Sequence, residues 1–81
     1  MTKLKIGDVI DVEDRDYRYG MGRLILRVTK IGERTALADG EWVDLDGFEL
    51  RSDGAQLLPQ PRHAAVRVSA LRIWRGPDEQ A

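Results

Sequence analysis

The clearest pattern along the chain is an alternation of apolar and polar residues, interrupted by Asp-Gly pairs. The dipeptide occurs three times, at 39–40, 46–47 and 53–54. Asp-Gly between apolar and β-branched residues favours a two-residue hairpin turn, because both central residues of that turn have positive φ. The short segments between the pairs have a common strand length. We therefore predict an all-β chain, a small antiparallel barrel or bent meander of five or six strands.

The central Asp-Gly pair predicts a specific register. With a two-residue turn at Asp46-Gly47, Leu45 faces Phe48 and Val43 faces Leu50. All four apolar side chains then lie on one face of the hairpin, and a slip of one residue would scatter them. The other two turns predict two further opposed pairs, Leu37 with Trp42 and Leu50 with Leu57.

Alternation elsewhere predicts the remaining strands. Ile10 and Val12 share one side of a short strand, residues 23–31 form the clearest strand, and residues 64–68 form the last one. Residues 13–22 are predicted to be an exposed loop, and the prolines of residues 59–61 require a second loop. The predicted core contains Ile6, Ile10, Val12, Leu24, Leu26, Val28, Val43, Leu45, Phe48, Leu50, Leu57, Val66, Val68 and Leu71.

Length and composition set the class of protein. The 81 residues suit one domain, which we place at residues 1–75 with a polar tail at 76–81. The chain contains no cysteine, so it can form neither a disulfide nor a thiolate metal site. It also lacks a long apolar run and an apolar signal segment, so we expect a cytoplasmic protein without membrane contact. Its arginine-rich, lysine-poor usage resembles that of proteins from GC-rich bacterial genomes.

The net charge of −1 argues against a nucleic-acid binder of the usual basic type. The charges are unevenly distributed, however. Residues 15–34 and 62–75 are rich in arginine, whereas residues 35–53 are rich in acidic residues. A folded sheet could therefore present one basic and one acidic face, or could pair these charges across its strands.

No residue pattern indicates catalysis. His63 is the only histidine, and no neighbouring serine and carboxylate suggest a nucleophile with its base. We expect it to lie on the surface at the start of a strand. Gly20 and Gly22 precede a strand, whereas a phosphate-binding loop leads into a helix. We therefore expect no enzyme activity, no cofactor and no metal.

A loop rich in aromatic residues and arginine is the best candidate site. Such side chains bury a large area at modest entropic cost and are common at binding hot spots. An alternative is that one tyrosine folds back to cap the open end of the barrel. The predicted partner-binding residues are Tyr17, Arg18, Tyr19, Met21, Arg23 and Trp42.

These observations leave three functions open. The favoured one is a non-catalytic protein-interaction module or accessory subunit. The second is a nucleic-acid-binding small barrel, with the tyrosines stacking on bases. The third is a self-assembling structural subunit joined through strand edges. The nucleic-acid alternative would use Arg15, Arg18, Arg23, Arg27 and Arg67.

The segment from Ile6 to Val12, with the glycine-bearing loop and long strand after it, resembles the opening of Src-homology-3-like small barrels. That group includes the Tudor-like and KOW-type modules, although KOW-type modules usually carry a more basic loop than residues 14–16. The segment from Tyr19 to Ile25 is also similar to part of CarD-type RNA-polymerase-binding domains. The resemblance covers the first third of the chain and implies a small β-barrel.

Overall fold

The structure, a computed structural model, describes residues 4–18, 22–74 and 76. One antiparallel sheet contains four strands in the order β1-β2-β3-β4, and it curls into a half-barrel. Two short 3-10 turns, Asp14–Asp16 and Val68–Ala70, accompany the sheet. The strands are β1 (Val9–Val12), β2 (Leu24–Leu37), β3 (Gly40–Leu50) and β4 (Arg62–Arg67). The all-β prediction is therefore confirmed.

Single bridges extend both edges of the sheet. Tyr17 bridges Val66 on the outer edge of β4, and Ile73 bridges Ile10 on the outer edge of β1. The chain near Ile73 makes two more backbone hydrogen bonds to β1, at 2.9 and 2.8 Å. A 3-10 turn lies just before each bridging segment, so the extended part of that segment is short. The predicted fifth and sixth strands are therefore not confirmed among the described residues.

The hairpin predicted at Asp46-Gly47 is wrong, because β3 runs straight through both residues. Gly47 lies between Val28 of β2 and Arg62 of β4. A Cβ atom on Gly47 would lie 2.2 Å from the carbonyl oxygen of Arg27. The glycine therefore permits a close approach of two backbones and does not supply the positive φ of a turn.

The other two Asp-Gly pairs do lie at turns, but the pairing around each turn differs from the predicted register. Leu37 pairs with Gly40, and the turn consists of residues 38 and 39. After the second turn, Leu50 bridges Gln56 in place of Leu57. Gly40 and Gly54 have φ values of 125° and 92°, which accounts for glycine at both positions.

The core lies inside the curl of the sheet. Its ten-residue cluster contains Ile10, Val12, Tyr17, Leu24, Leu26, Val28, Val43, Leu45, Ala64 and Val66. Leu50 is also buried. Val68 and Leu71 are partly buried and pack against the cluster. Phe48 is partly buried but belongs neither to this cluster nor to the residues packed against it, and Arg27 lies over its ring. Two further predicted core residues are exposed: Ile6 is 66% exposed in the turn before β1, and Leu57 is 48% exposed after the register shift.

The described residues include no helix of the length and apolarity that crossing a membrane requires. Of the predicted polar tail at residues 76–81, only Gly76 falls within the part of the chain that the structure describes.

Candidate functional site

Tyr17 belongs to the core. Only 5% of it is exposed, and it packs with the inner residues of the sheet. Its hydroxyl donates a hydrogen bond of 2.7 Å to the carbonyl oxygen of Gly22. The guanidinium of Arg62 lies 5.8 Å from the centre of its ring. Tyr17 is therefore folded back against the core, as the alternative interpretation predicted for one of the tyrosines.

Of the other predicted loop residues, the two that the structure describes, Arg18 and Arg23, make separate contacts. Arg18 is exposed, and its backbone N–H donates to the carbonyl oxygen of Ala65 at 2.9 Å. Arg23 is held by Asp11 through two hydrogen bonds of 2.7 and 2.8 Å. Tyr19 and Met21 lie outside the described residues.

Trp42 is also held within the fold. It is 8% exposed, and the guanidinium of Arg67 lies 4.6 Å from the centre of its ring. Its indole N–H donates a hydrogen bond of 3.0 Å to the Asp39 carboxylate. This hydrogen bond is the main cause of the lowered pKa of that carboxyl. Arg67 also hydrogen-bonds the backbone oxygen of Asp39 and lies 3.6 Å from the carboxylate of Asp16. The indole ring is therefore covered by an arginine that Asp39 and Asp16 hold in place.

Asp11 is a buried carboxylate that the sequence analysis did not single out. Arg23 binds both of its oxygens, and Arg72 donates to one of them at 3.1 Å. The hydrogen bonds from Arg23 hold the pKa of Asp11 below its ordinary value, against the opposing effect of burial. The backbone N–H of Asp11 also donates to the carbonyl oxygen of Arg72. Asp11 therefore joins β1, the start of β2 and the C-terminal segment.

The proposed arginine strip is largely paired with groups of the protein itself. Arg15 lies 3.1 Å from Glu13, and Arg27 lies 5.5 Å from the ring centre of Phe48. Arg23 and Arg67 have the acidic partners described above. Within the described part of the chain, Arg18 is the one member of the strip without an ion pair or ring contact. The ion pairs of Arg15, Arg23 and Arg67 reduce the positive charge that the strip could offer to phosphate groups.

One edge of β2 is uncovered over much of its length among the described residues. β1 pairs with β2 only as far as Arg27, and the last backbone hydrogen bonds on that side join Val28 to Gly7 and Asp8, both at 2.8 Å. β2 then continues through residues 29–37, all of them exposed, and β3 covers only its other side. No described residue pairs with this side, which we call the open edge.

An acidic groove lies beside the open edge. Its cavity of about 250 Å³ is lined by Lys30, Gly32, Asp44, Asp46 and His63. The ring of His63 lies 3.0 Å from Asp46 and 3.5 Å from Asp44. His63 is exposed near the start of β4, as predicted. Across the described residues, no group of three potential metal ligands has the arrangement needed for a metal ion.

The sequence analysis missed this groove because it predicted a hairpin turn at Asp46-Gly47. The spacing of Asp44 and Asp46 in a strand does place both carboxylates on one face. In the structure Asp46 lies opposite His63 on β4, and Asp44 lies opposite Ala65. The pattern of two acids two residues apart was therefore the available signal, but the histidine came from a distant strand.

The geometry defines a small all-β half-barrel domain with an open strand edge beside an acidic groove. Searches against protein-family models, curated proteins and solved structures found no match for the chain.

Proposed function

We propose that this protein is a non-catalytic protein-interaction module or accessory subunit. The observation that carries the proposal is the open edge of β2. An uncovered strand edge presents backbone N–H and C=O groups that another chain can pair with. Addition of a strand to a sheet edge is a recurring mode of peptide recognition. Recognition of this kind needs no catalytic group, consistent with the absence of catalytic motifs from the sequence.

The proposed contact surface differs from the one that composition suggested. Tyr17, Arg23 and Trp42 are engaged within the fold, so they support the site indirectly by holding the half-barrel together. Arg18, Tyr19 and Met21 stay as predicted contact residues. The open edge is the main contact surface of the proposal, because its exposed backbone extends over residues 29–37.

The pairing of the arginines favours this function over the nucleic-acid alternative. A protein that binds nucleic acid gains affinity by replacing counterions on the phosphates with its own cations. Here Arg23 and Arg67 already neutralise Asp11 and Asp39, respectively. Binding to phosphate would compete with these contacts.

Site-specific photocrosslinking tests the proposal. A photoreactive amino acid is placed at Thr35 on the open edge and, as a matched control, at exposed Ser52 in the turn after β3. We expect a discrete adduct with another protein in living cells from position 35 and none from position 52. An adduct removed by nuclease would support the nucleic-acid alternative. An adduct between two copies would support self-assembly, and no adduct from position 35 would contradict the proposal.

A further inference from the structure

We infer that the open edge takes an extended peptide segment that carries a lysine or arginine, and that this basic side chain crosses Gly32 to reach Asp44 and Asp46. This inference rests on the proposed function and names the partner chemistry. It joins two neighbouring features of the fold, the open edge and the acidic groove.

The backbone of the edge sets where a strand can add. Residues 34–37 pair with β3 in regular register, from Arg34 opposite Val43 to Leu37 opposite Gly40. Two register shifts interrupt the pairing, one after Val28 and one after Ile31. Irregularities of this kind twist an edge and limit unselective pairing. An added strand therefore has a regular ladder along residues 34–37 and meets the groove beyond it.

The distance between strands selects a long side chain. Neighbouring strands lie about 4.8 Å apart, so an added strand would lie roughly 10 Å from β3, across β2. A short side chain on the added strand cannot span that gap, whereas the flexible stems of lysine and arginine can. Gly32 leaves the path over β2 free of a side chain. A Cβ atom there would lie 3.1 Å from the Cβ of Asp44.

The charges of the groove favour a cation. Asp44 and Asp46 have half-exposed side chains that face the cavity together. His63 contacts both carboxylates and carries positive charge only when it is protonated. Lys30 also lines the cavity, but none of the ion pairs found among the described residues joins it to either aspartate. A peptide cation would therefore gain a carboxylate pair that the chain's own lysine leaves available.

Amide NMR titration with synthetic peptides tests the inference. The probe is a short peptide of alternating threonine and valine with one central arginine. Its two matched controls carry glutamate in place of arginine, or N-methyl groups on alternate residues. We expect the arginine peptide to shift amides of residues 29–37 and of Asp44 and Asp46. We expect the glutamate peptide to bind about tenfold more weakly, and the N-methylated peptide to lose binding.

Variants separate the charge from the edge. The double variant D44N/D46N should bind the arginine and glutamate peptides equally, whereas the control D14N, in the exposed 3-10 turn, should keep the preference for arginine. Amide dispersion confirms that each variant is folded. Equal binding of both peptides by the unmodified protein, or shifts away from residues 29–37, would overturn the inference. No binding of any peptide would overturn it too, while a protein adduct from position 35 would still support the proposed function.

Discussion

Replacing Gly47 by alanine adds one methyl group where the backbones of β2 and β3 approach closely. The new Cβ atom would lie 2.2 Å from the carbonyl oxygen of Arg27 and 3.0 Å from the Cγ of Leu26, whereas Cβ atoms in proteins essentially never approach another atom below 3.0 Å. The neighbour is backbone on β2, so it cannot turn away as the end of a side chain could. β3 must therefore shift by about 0.8 Å relative to β2.

The cost of that shift has two parts. Overpacking a core by a methyl group typically costs about 1–3 kcal/mol. Weakening one or two backbone hydrogen bonds between β2 and β3 adds about 1 kcal/mol each. We therefore expect G47A to lower the free energy of unfolding by about 2–5 kcal/mol. A domain of this length has a total stability of roughly 4–12 kcal/mol, so this loss is a large part of the total and should lower the urea midpoint clearly.

Urea unfolding followed by tryptophan fluorescence measures this loss, because Trp42 is buried in the native state. The matched control is G7A, since Gly7 has a φ of 97° but open space around its Cβ position. That variant should cost about 1 kcal/mol for the left-handed conformation alone. If G47A cost no more than G7A, Gly47 would behave as a turn glycine and the account of the close approach would be refuted.

Three further predictions concern the residues that hold the half-barrel together. D11N should lower the free energy of unfolding at pH 7 by about 2–3 kcal/mol, because it removes the carboxylate that Arg23 and Arg72 bind; urea denaturation checks this, and an unchanged midpoint would contradict the role of the ion pairs. The folded-state pKa of Asp11 lies below its ordinary value of 3.8, so its stabilisation is fully present above that pH and is lost as the pH falls through the folded-state pKa. The difference between the unmodified protein and D11N should therefore be constant above pH 3.8 and shrink as the pH falls below it, and a difference that stays constant in acid would show that Asp11 does not titrate as argued. Y17F should cost about 1 kcal/mol and Y17A about 3–4 kcal/mol, because the first loses one hydrogen bond and the second also leaves a cavity; equal losses in thermal denaturation would mean that the ring does not pack in the core.

Much of the inner face of the sheet could be predicted from alternation alone. Ile10 and Val12 on β1, and Leu24, Leu26 and Val28 on β2, are buried as the pattern indicated. Local pattern succeeds here because side chains alternate between the two faces of any strand, wherever its neighbours lie. The positions of the turns near Asp39 and Asp53 also followed from local chemistry.

The same local chemistry gave a wrong turn prediction at Gly47. Glycine is required there because the backbone of β2 lies close to it, and not because the residue has a positive φ. Tyr17 was equally ambiguous, since only the bridge to Val66 places it against the core. The candidate site was beyond prediction for a related reason. Its open edge depends on where β1 stops pairing, and its groove joins acids of β3 to a histidine of β4.

The sequence by itself therefore determined the all-β class, the inner apolar faces and the approximate turns, which depend on residues close together in the chain. Only the tertiary structure decided the register between strands, the course of β3 through Asp46-Gly47 and the edge of β2 that is left open. These features depend on contacts between distant segments, where the space available to one backbone is set by another.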